Sequence, residues 1–179
     1  VVFNTTRAQV PMFNTTNIVS LITGQEPGMT GVFSEAWGPE WTFTRSAPPA
    51  EGYGIIPTPL WDHIKQQNPD LRTSAIYGDE FVKYFTQLHP LDYDVHTHGN
   101  DILSRQFALD IIQLNMTDFM YLHLTDLDMA GHKTHWGSPM YYMELSKYDN
   151  FLAQMEYEMK RRGYDQDTLF VITADHGRH

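Results

Sequence analysis

Two short segments toward the end of the sequence each place a carboxylate close to an imidazole. Asp128 and His132 stand four residues apart, and Asp175 is followed directly by His176. A run of residues typical of a buried strand ends shortly before each pair. Because ligands of open α/β sheets collect at the carboxyl ends of the strands, both pairs are expected at one edge of one sheet. Asp and His bind divalent cations, so the sequence predicts two metal ions side by side, an arrangement suited to phosphate or sulfate ester chemistry.

Each pair also has an ordinary interpretation. Asp128 fits a polar loop in which it caps the following turn, whereas Gly131 would allow a tight turn that brings Asp128 and His132 onto one ion. Asp175 and His176 follow a very apolar run, where charged groups are costly unless something satisfies them. The occurrence of both pairs in one chain, separated by one amphipathic helix, favours the metal site.

The elements that must position these pairs follow an α/β pattern. The predicted helices are 17–23, 57–67, 101–114 and 139–162, and the predicted strands are 73–77, 119–124 and 168–173. Gly24 and Gly163 stop the first and last of these helices, and residues 28–53 lack a clear period, which is typical of a loop. Alternating helices and strands imply right-handed crossovers, so the prediction is a central, mostly parallel sheet flanked by helices.

Composition limits the classes of protein that fit. A chain of 179 residues suits one domain, and 41% hydrophobic residues can form a core. No apolar run reaches the ~18 residues of a membrane-spanning helix, so no membrane segment is expected in this chain. A net charge of −10 without a basic stripe argues against a nucleic-acid-binding surface. Without cysteine, any metal must be bound by histidines and carboxylates.

The two pairs belong to a longer pattern, D-x-x-G-H, a helix containing Asp149, and then R-R-G-Y-D-x-x-T-L-F-V-I-T-A-D-H-G. This pattern, dense over residues 124–177, resembles the alkaline phosphatase superfamily and is closest in style to its phosphodiesterase and sulfatase-like branches. The segment S-L-I-T-G at 20–24 resembles the one that follows the family's nucleophile. The resemblance implies an incomplete alkaline phosphatase-like core, a single partial catalytic domain over residues 1–179. The family's first strand, with its Asp ligand, and its C-terminal part, with a further His ligand, are expected outside the chain.

The resemblance also implies a set of ligands. Asp128 and His132 would bind one divalent ion, and Asp175 and His176 the other. Zinc is the common ion in the phosphodiesterases, and manganese, calcium or magnesium remain alternatives. The implied reaction is hydrolysis of a small phosphodiester or phosphomonoester, with sulfate hydrolysis and phosphotransfer as less favoured alternatives. Family members are often extracytoplasmic, and the location of this protein stays open.

The nucleophile is expected at the start of the first predicted helix. Counting back from Thr23 as the family pattern does places Asn14 in the nucleophile position, although an amide is not a nucleophile for this reaction. A shift of one residue brings Thr15 into place, and Thr15 is the favoured candidate. Asn17 falls where some phosphodiesterases contact a phosphoryl oxygen. The stretch N-T-T-N lacks the arginine of the sulfatase pattern, which favours phosphate over sulfate esters.

Two other functions stay open. His96 and His98 form an H-x-H, a spacing used by metal-dependent amidohydrolases, although short motifs of this kind often occur by chance. Alternatively, the protein is a catalytically inactive relative that keeps the fold and the metals, with Asn14 as the diagnostic residue.

Overall fold

The computed structural model describes residues 7–34 and 57–177. In these ranges the helices are α1 (Asn14–Thr23), α2 (Pro27–Thr30), α3 (Leu60–Gln67), α4 (Glu80–Leu88), α5 (Asp101–Gln113), α6 (Asp126–Thr134) and α7 (Pro139–Arg162), and the strands are β1 (Thr73–Tyr77), β2 (Tyr93–His96) and β3 (Phe119–Leu122). The loop predicted over 28–53 contains α2 at its start, and its part from residue 35 onward lies outside the described residues.

The three strands form one parallel sheet in the order β2-β1-β3. Ile76 of the central strand is paired with Val95 on one side and with Leu122 on the other. Every residue of β1 is buried, as expected for a strand covered on both faces. The α/β class with a parallel sheet and flanking helices is therefore confirmed, and the carboxyl ends of all three strands meet at one edge.

Helices cover both faces of the sheet, and alternate residues of β1 serve the two layers. Ala75 and Tyr77 belong to one hydrophobic cluster, whose helical members are Ile18, Val19, Ile22, Trp61, Phe81, Val82 and Phe85. Ile76 belongs to the other, whose helical members are Ala108, Ile111, Ile112, Phe151, Met155 and Met159. The core therefore lies in two layers, with α1, α3 and α4 contributing to one layer and α5 and α7 to the other. None of the described helices has both the length and the hydropathy needed to cross a membrane.

Several predicted elements form where local signals are strong. The strand 73–77 and the helix 139–162 have the predicted bounds. Ser138 caps the start of α7 by accepting a hydrogen bond from the backbone of Tyr141, and Gly163 ends the helix in the left-handed conformation at φ 76°. The other predicted helices form with shifted ends, α1 beginning earlier and α3 later than expected.

The strand predicted over 168–173 does not form. These residues belong to no regular element, and Leu169 and Val171 are 85% and 76% exposed. An apolar run becomes a buried strand only if a neighbouring strand supplies hydrogen bonds and other elements cover both faces. Within the described residues the sheet consists of β2, β1 and β3 and this segment pairs with none of them, so the prediction of a strand was wrong.

Candidate metal centre

Asp128 and His132 lie on α6, whose residues were expected in a loop. Residues four apart are neighbours on a helix surface, and Asp128 Oδ1 lies 3.5 Å from His132 Nε2. Gly131 does not form the expected tight turn but lies within α6. A Cβ atom at this position would lie 2.6 Å from the ring of Trp136. The same ring packs edge-on against His132, with centroids 4.7 Å apart. The glycine therefore allows Trp136 to approach the helix and contact His132.

The start of α6 is held by Asp101, the first residue of α5. Its carboxylate is buried and accepts hydrogen bonds from the backbone of Thr125 and Asp126, at 2.8 Å each, and from the Thr125 hydroxyl. Thr125, the N-cap residue of α6, makes no side-chain capping bond of its own. Asp101 therefore satisfies donors that the helix leaves unpaired, and its negative charge suits the positive end of the helix dipole.

Tyr148 of α7 completes this anchor. Its hydroxyl donates a hydrogen bond to Asp101 Oδ2 and accepts one from the backbone of Leu127 at 3.1 Å. Burial, followed by the hydrogen bond to Asp101, raises the pKa of Tyr148 well above its usual range. The phenol therefore remains protonated and continues to donate its hydrogen bond to Asp101. Together Asp101 and Tyr148 fix the direction in which α6 leaves the sheet edge, and with it the positions of Asp128 and His132.

Asp175 and His176 form the second pair. Asp175 Oδ2 lies 3.4 Å from His176 Nε2, and the His176 side chain is only 5% exposed. His176 Nδ1–H donates to the Gly177 carbonyl at 2.7 Å, so in a neutral ring Nε2 carries the lone pair. Nε2 also contacts Asn14 Oδ1. A nitrogen lone pair that faces two oxygens is satisfied either by a proton or by a cation held between them.

His123, just past the end of β3, lies in the electrostatic field of both pairs. Burial lowers the pKa of its imidazole, while Asp79, Asp175, Asp101 and Asp128 oppose this shift. Its Nδ1 atom is buried and has no hydrogen-bond partner among residues 7–34 and 57–177. No role was predicted for His123, whose signal in the sequence is that of a polar residue at the end of an apolar strand. This edge of the sheet therefore holds a neutral imidazole surrounded by carboxylates.

The structure brings the start of α1 to the second pair. Asn14 contacts His176, and Thr15, in the same first turn, is buried at 7% exposure. The Asn17 side chain accepts a hydrogen bond from the Gln9 backbone at 2.7 Å and donates one to the Phe13 carbonyl at 3.0 Å. The amide of Asn17 thus fastens the preceding chain to α1. A nucleophilic Thr15 and a substrate-binding Asn17 stay predictions.

The two pairs do not merge into a cluster of three ligands. Across the described ranges, one group of three histidine and carboxylate ligands converges, and it consists of Glu80, His96 and His98. His96 and His98 were predicted as a possible metal-binding H-x-H without a third ligand, because α4 and β2 were not predicted. The sequence signals for α4 cover only a few residues. They are Asp79, which caps the helix by accepting a hydrogen bond from the Phe81 backbone, and a brief apolar repeat after it.

Both predicted pairs fit a divalent cation by donor type and spacing. Zinc bonds to His nitrogen and carboxylate oxygen are about 2.0–2.2 Å long, which places adjacent ligands of a tetrahedral ion about 3.3 Å apart. The observed separations are 3.5 Å for Asp128 and His132 and 3.4 Å for Asp175 and His176. Each pair supplies two ligands, so a complete coordination sphere at either position needs water, substrate or other protein groups.

The chain is similar to a known protein family and to individual known proteins. The family model described as type I phosphodiesterase / nucleotide pyrophosphatase matches residues 1–179. GPI ethanolamine phosphate transferase 1 of Gibberella zeae is 28% identical over 104 residues, which cover 56% of this chain and 11% of that protein. The protein of the same name from Candida glabrata is 27% identical over 113 residues, 62% of this chain and 12% of that protein. The chain thus spans about a tenth of the length of these relatives.

The resemblance to the alkaline phosphatase superfamily is confirmed by this match, which extends over the whole chain rather than only over the dense pattern at 124–177. The chain belongs to the type I phosphodiesterase / nucleotide pyrophosphatase family.

Proposed function

We propose that this chain forms part of an active site that hydrolyses or transfers a phosphate ester with two bound divalent ions. Asp128 and His132 hold one ion, Asp175 and His176 hold the other, and zinc suits these nitrogen and oxygen ligands. The contact between Asn14 and His176 is the observation that carries the proposal. It joins the first turn of α1, where the resemblance puts the nucleophile, to a pair of candidate metal ligands.

The protein groups in this proposal have separate tasks. Bound divalent ions supply Lewis-acid stabilisation of the charged phosphoryl oxygens. Thr15 supplies the attacking hydroxyl, and its Oγ1–phosphorus bond forms as the bond to the leaving alcohol breaks. The hydroxyl proton is released from Thr15, and the leaving oxygen takes up a proton. Water or a second alcohol then displaces Thr15, which gives hydrolysis or transfer respectively.

The first turn of α1 supports the binding of an anionic group. Its N-cap residue, Phe13, provides no side-chain hydrogen bond, so backbone N–H groups of the first turn have no side-chain cap. Such groups and the positive end of the helix dipole favour phosphate. Asn17 is the proposed additional contact to a phosphoryl oxygen, and it would have to exchange one of its present hydrogen bonds for the substrate.

Transfer is supported by the names of two relatives, both of which are ethanolamine phosphate transferases. On this basis the favoured substrate within the phosphate esters is an ethanolamine phosphate diester, and the favoured acceptor is an alcohol. Family membership favours phosphate ester chemistry over the amidohydrolase alternative at His96 and His98.

A second candidate is a metal-binding relative without catalysis. Its support is the position of Asn14, whose amide oxygen contacts His176 where the family pattern expects a nucleophile. In this case the first turn of α1 would contribute an amide oxygen to the metal environment, and no covalent intermediate would form.

The test measures turnover of p-nitrophenyl phosphate, bis-p-nitrophenyl phosphate, p-nitrophenyl sulfate and the p-nitrophenyl diester of ethanolamine phosphate with added zinc or manganese. The variants are Thr15→Ala, Thr15→Ser and Asp175→Asn, with the exposed Asp70→Asn as a matched control. We expect loss of turnover in Thr15→Ala and Asp175→Asn, partial rescue by Thr15→Ser, and no change in Asp70→Asn.

Transfer is distinguished from hydrolysis by adding an acceptor alcohol. A transferase releases p-nitrophenol in excess over free ethanolamine phosphate, whereas a hydrolase releases both equally. Wild-type turnover in Thr15→Ala would reject Thr15 as the nucleophile. Metal binding without turnover of any ester would favour the inactive relative.

A further inference from the structure

We propose that Glu80, His96 and His98 form a third metal site, suited to zinc and separate from the two carboxylate–histidine pairs. His98 Nδ1 lies 3.4 Å and His96 Nδ1 lies 3.8 Å from Glu80 Oε1. The two imidazole rings are 4.0 Å apart between centroids, and one ligand atom from each residue lies within 4.8 Å of the others. These separations approach the ~3.3 Å expected between ligands of a tetrahedral zinc ion.

His96 is already oriented as a metal ligand. Its Nε2 atom lies 3.3 Å from the Gly78 carbonyl oxygen, so Nε2–H donates to the backbone and Nδ1 presents its lone pair toward Glu80. Metal-binding histidines characteristically donate their other ring N–H to a carbonyl or carboxylate, which fixes the tautomer and the ring. The ring of His96 also stacks on Tyr77, with centroids 5.1 Å apart, and its side chain is 10% exposed.

The backbone after β2 turns so that His98 meets His96. His98 has φ 52° and Gly99 has φ 74°, both in the left-handed region. A non-glycine residue rarely adopts this conformation, which persists only where surrounding contacts favour it. The imidazole of His98 thereby lies beside that of His96 and Glu80, and the trio includes residues from two elements of the fold.

Glu80 provides the anionic ligand from α4. It is the first residue of that helix, directly after the capping Asp79, so its backbone is fixed. Its Oε1 atom faces the two histidines, and its Oε2 atom lies 3.8 Å from Lys83 Nζ. The carboxylate can therefore bind an ion through Oε1 while Lys83 remains beside Oε2. An ion at this position would connect α4 to the end of β2.

Two imidazole nitrogens and one carboxylate oxygen select the kind of ion. Zinc, and cobalt as its spectroscopic substitute, suit this set, whereas magnesium and calcium prefer all-oxygen sites. The side chains of His98 and Glu80 are 73% and 65% exposed, so water can fill a fourth position. The separation of this trio from Asp128 and Asp175 predicts that it binds metal even when both of those carboxylates are removed.

The test therefore uses the protein carrying Asp128→Asn and Asp175→Asn as its background. Zinc bound per chain is measured by elemental analysis, and cobalt binding by its visible absorption. Into this background we introduce His98→Asn, which tolerates the left-handed backbone, or His63→Asn, which changes an exposed histidine on α3 outside the trio. Zinc-dependent shifts of the histidine ring resonances provide a second measurement that is independent of affinity.

We expect one bound ion in the background and in His63→Asn, with ring-proton shifts at His96 and His98. In His98→Asn the affinity should fall at least about tenfold, because loss of a direct ligand costs no less than loss of a residue that orients one. Equal metal binding by His98→Asn and His63→Asn would overturn the proposal, as would ring shifts confined to His132 and His176. Neither result depends on catalytic turnover, so the site stands or fails separately from the proposed reaction.

Discussion

Tyr148 of α7 donates a hydrogen bond to Asp101 at the start of α5, although the two residues are far apart in the sequence. The same Asp101 carboxylate binds the backbone of Thr125 and Asp126, where α6 begins. One buried acidic group therefore joins three helices beside the carboxyl edge of the sheet. The position of the Asp128 and His132 pair depends on it.

Replacing Asp101 by Asn should destabilise the protein by about 2–4 kcal/mol, because an amide cannot accept all of these bonds and its NH₂ group faces donors. Tyr148→Phe removes one donor and should cost about 1–2 kcal/mol. The free energy of unfolding in urea measures the loss of stability in both variants. The control is Tyr157→Phe, which removes the hydroxyl of a tyrosine that is 64% exposed on the same helix and should change little. Equal stability of Tyr148→Phe and Tyr157→Phe would contradict the anchoring role.

Gly131→Ala should destabilise the protein despite the higher helix propensity of alanine. The added methyl group would lie 2.6 Å from the Trp136 ring, and overpacking of this kind costs about 1–3 kcal/mol, against a propensity gain of about 1 kcal/mol. The matched control is Gly28→Ala in α2, where nothing lies within 4 Å of the new Cβ. If the clash is the cause, a double-mutant cycle should show that Gly131→Ala no longer destabilises the protein once Trp136→Ala has removed the ring.

Acid should weaken the fold through Asp118. A bidentate contact with Arg72, with Nη2 to Oδ1 and Nε to Oδ2 at 2.8 and 2.9 Å, lowers the pKa of Asp118 from its ordinary 3.8 to about 2. A lowered carboxyl pKa contributes stability that is present above the unfolded value and is lost as pH falls toward the folded value. The unfolding free energy should therefore decrease between about pH 4 and pH 2.

Asp118→Asn should flatten that part of the pH profile, whereas Asp70→Asn, at an exposed position, should not. Since the Asp118 side chain is 35% exposed, solvent screening reduces the effect, and added salt should reduce it further. If the unfolding free energies of the wild type and Asp118→Asn decrease in parallel from pH 4 to 2, Asp118 is not a cause of the acid sensitivity.

His123 should titrate below the ordinary histidine range, because burial disfavours its charged form. A lowered histidine pKa means that the unfolded state binds the proton more readily, so stability is lost as pH falls below about 6.5. NMR titration of the ring protons in chelator measures this pKa directly. A His123 pKa at or above the ordinary value of about 6.5 would show that the carboxylates outweigh burial.

Local signals explain which parts of the fold could be predicted. The strand at 73–77 and the helix at 139–162 carry signals of their own: a short segment that ends at Gly78 in one, and Ser138 and Gly163 at the ends of the other. The strand predicted at 168–173 has a more apolar sequence, but a buried strand also has to pair with the sheet and be covered by other elements, and its own residues encode neither. The error arose from a tertiary requirement rather than from a misread pattern.

The candidate site could likewise be predicted only in part from local signals. The two Asp–His pairs were identified from spacing, and each pair lies within ion-pair distance in the structure. The anchoring role of Asp101 could not be predicted, because its partners at Thr125 and Tyr148 become neighbours only after the sheet and helices assemble. Glu80 joins His96 and His98 for the same reason. The catalytic role of Thr15 and the substrate contact of Asn17 remain predictions.

The central position of β1 has a geometric consequence for the proposed metal sites. Adjacent strands lie about 4.8 Å apart, so the ends of β2 and β3, on either side of β1, are separated by about 10 Å. The proposed third site rests on β2 and α4, whereas Asp128 and His132 follow β3 on α6, so the two sets of ligands leave the sheet from strands on opposite sides of β1. β1 therefore separates the strands that support the two proposed kinds of metal site.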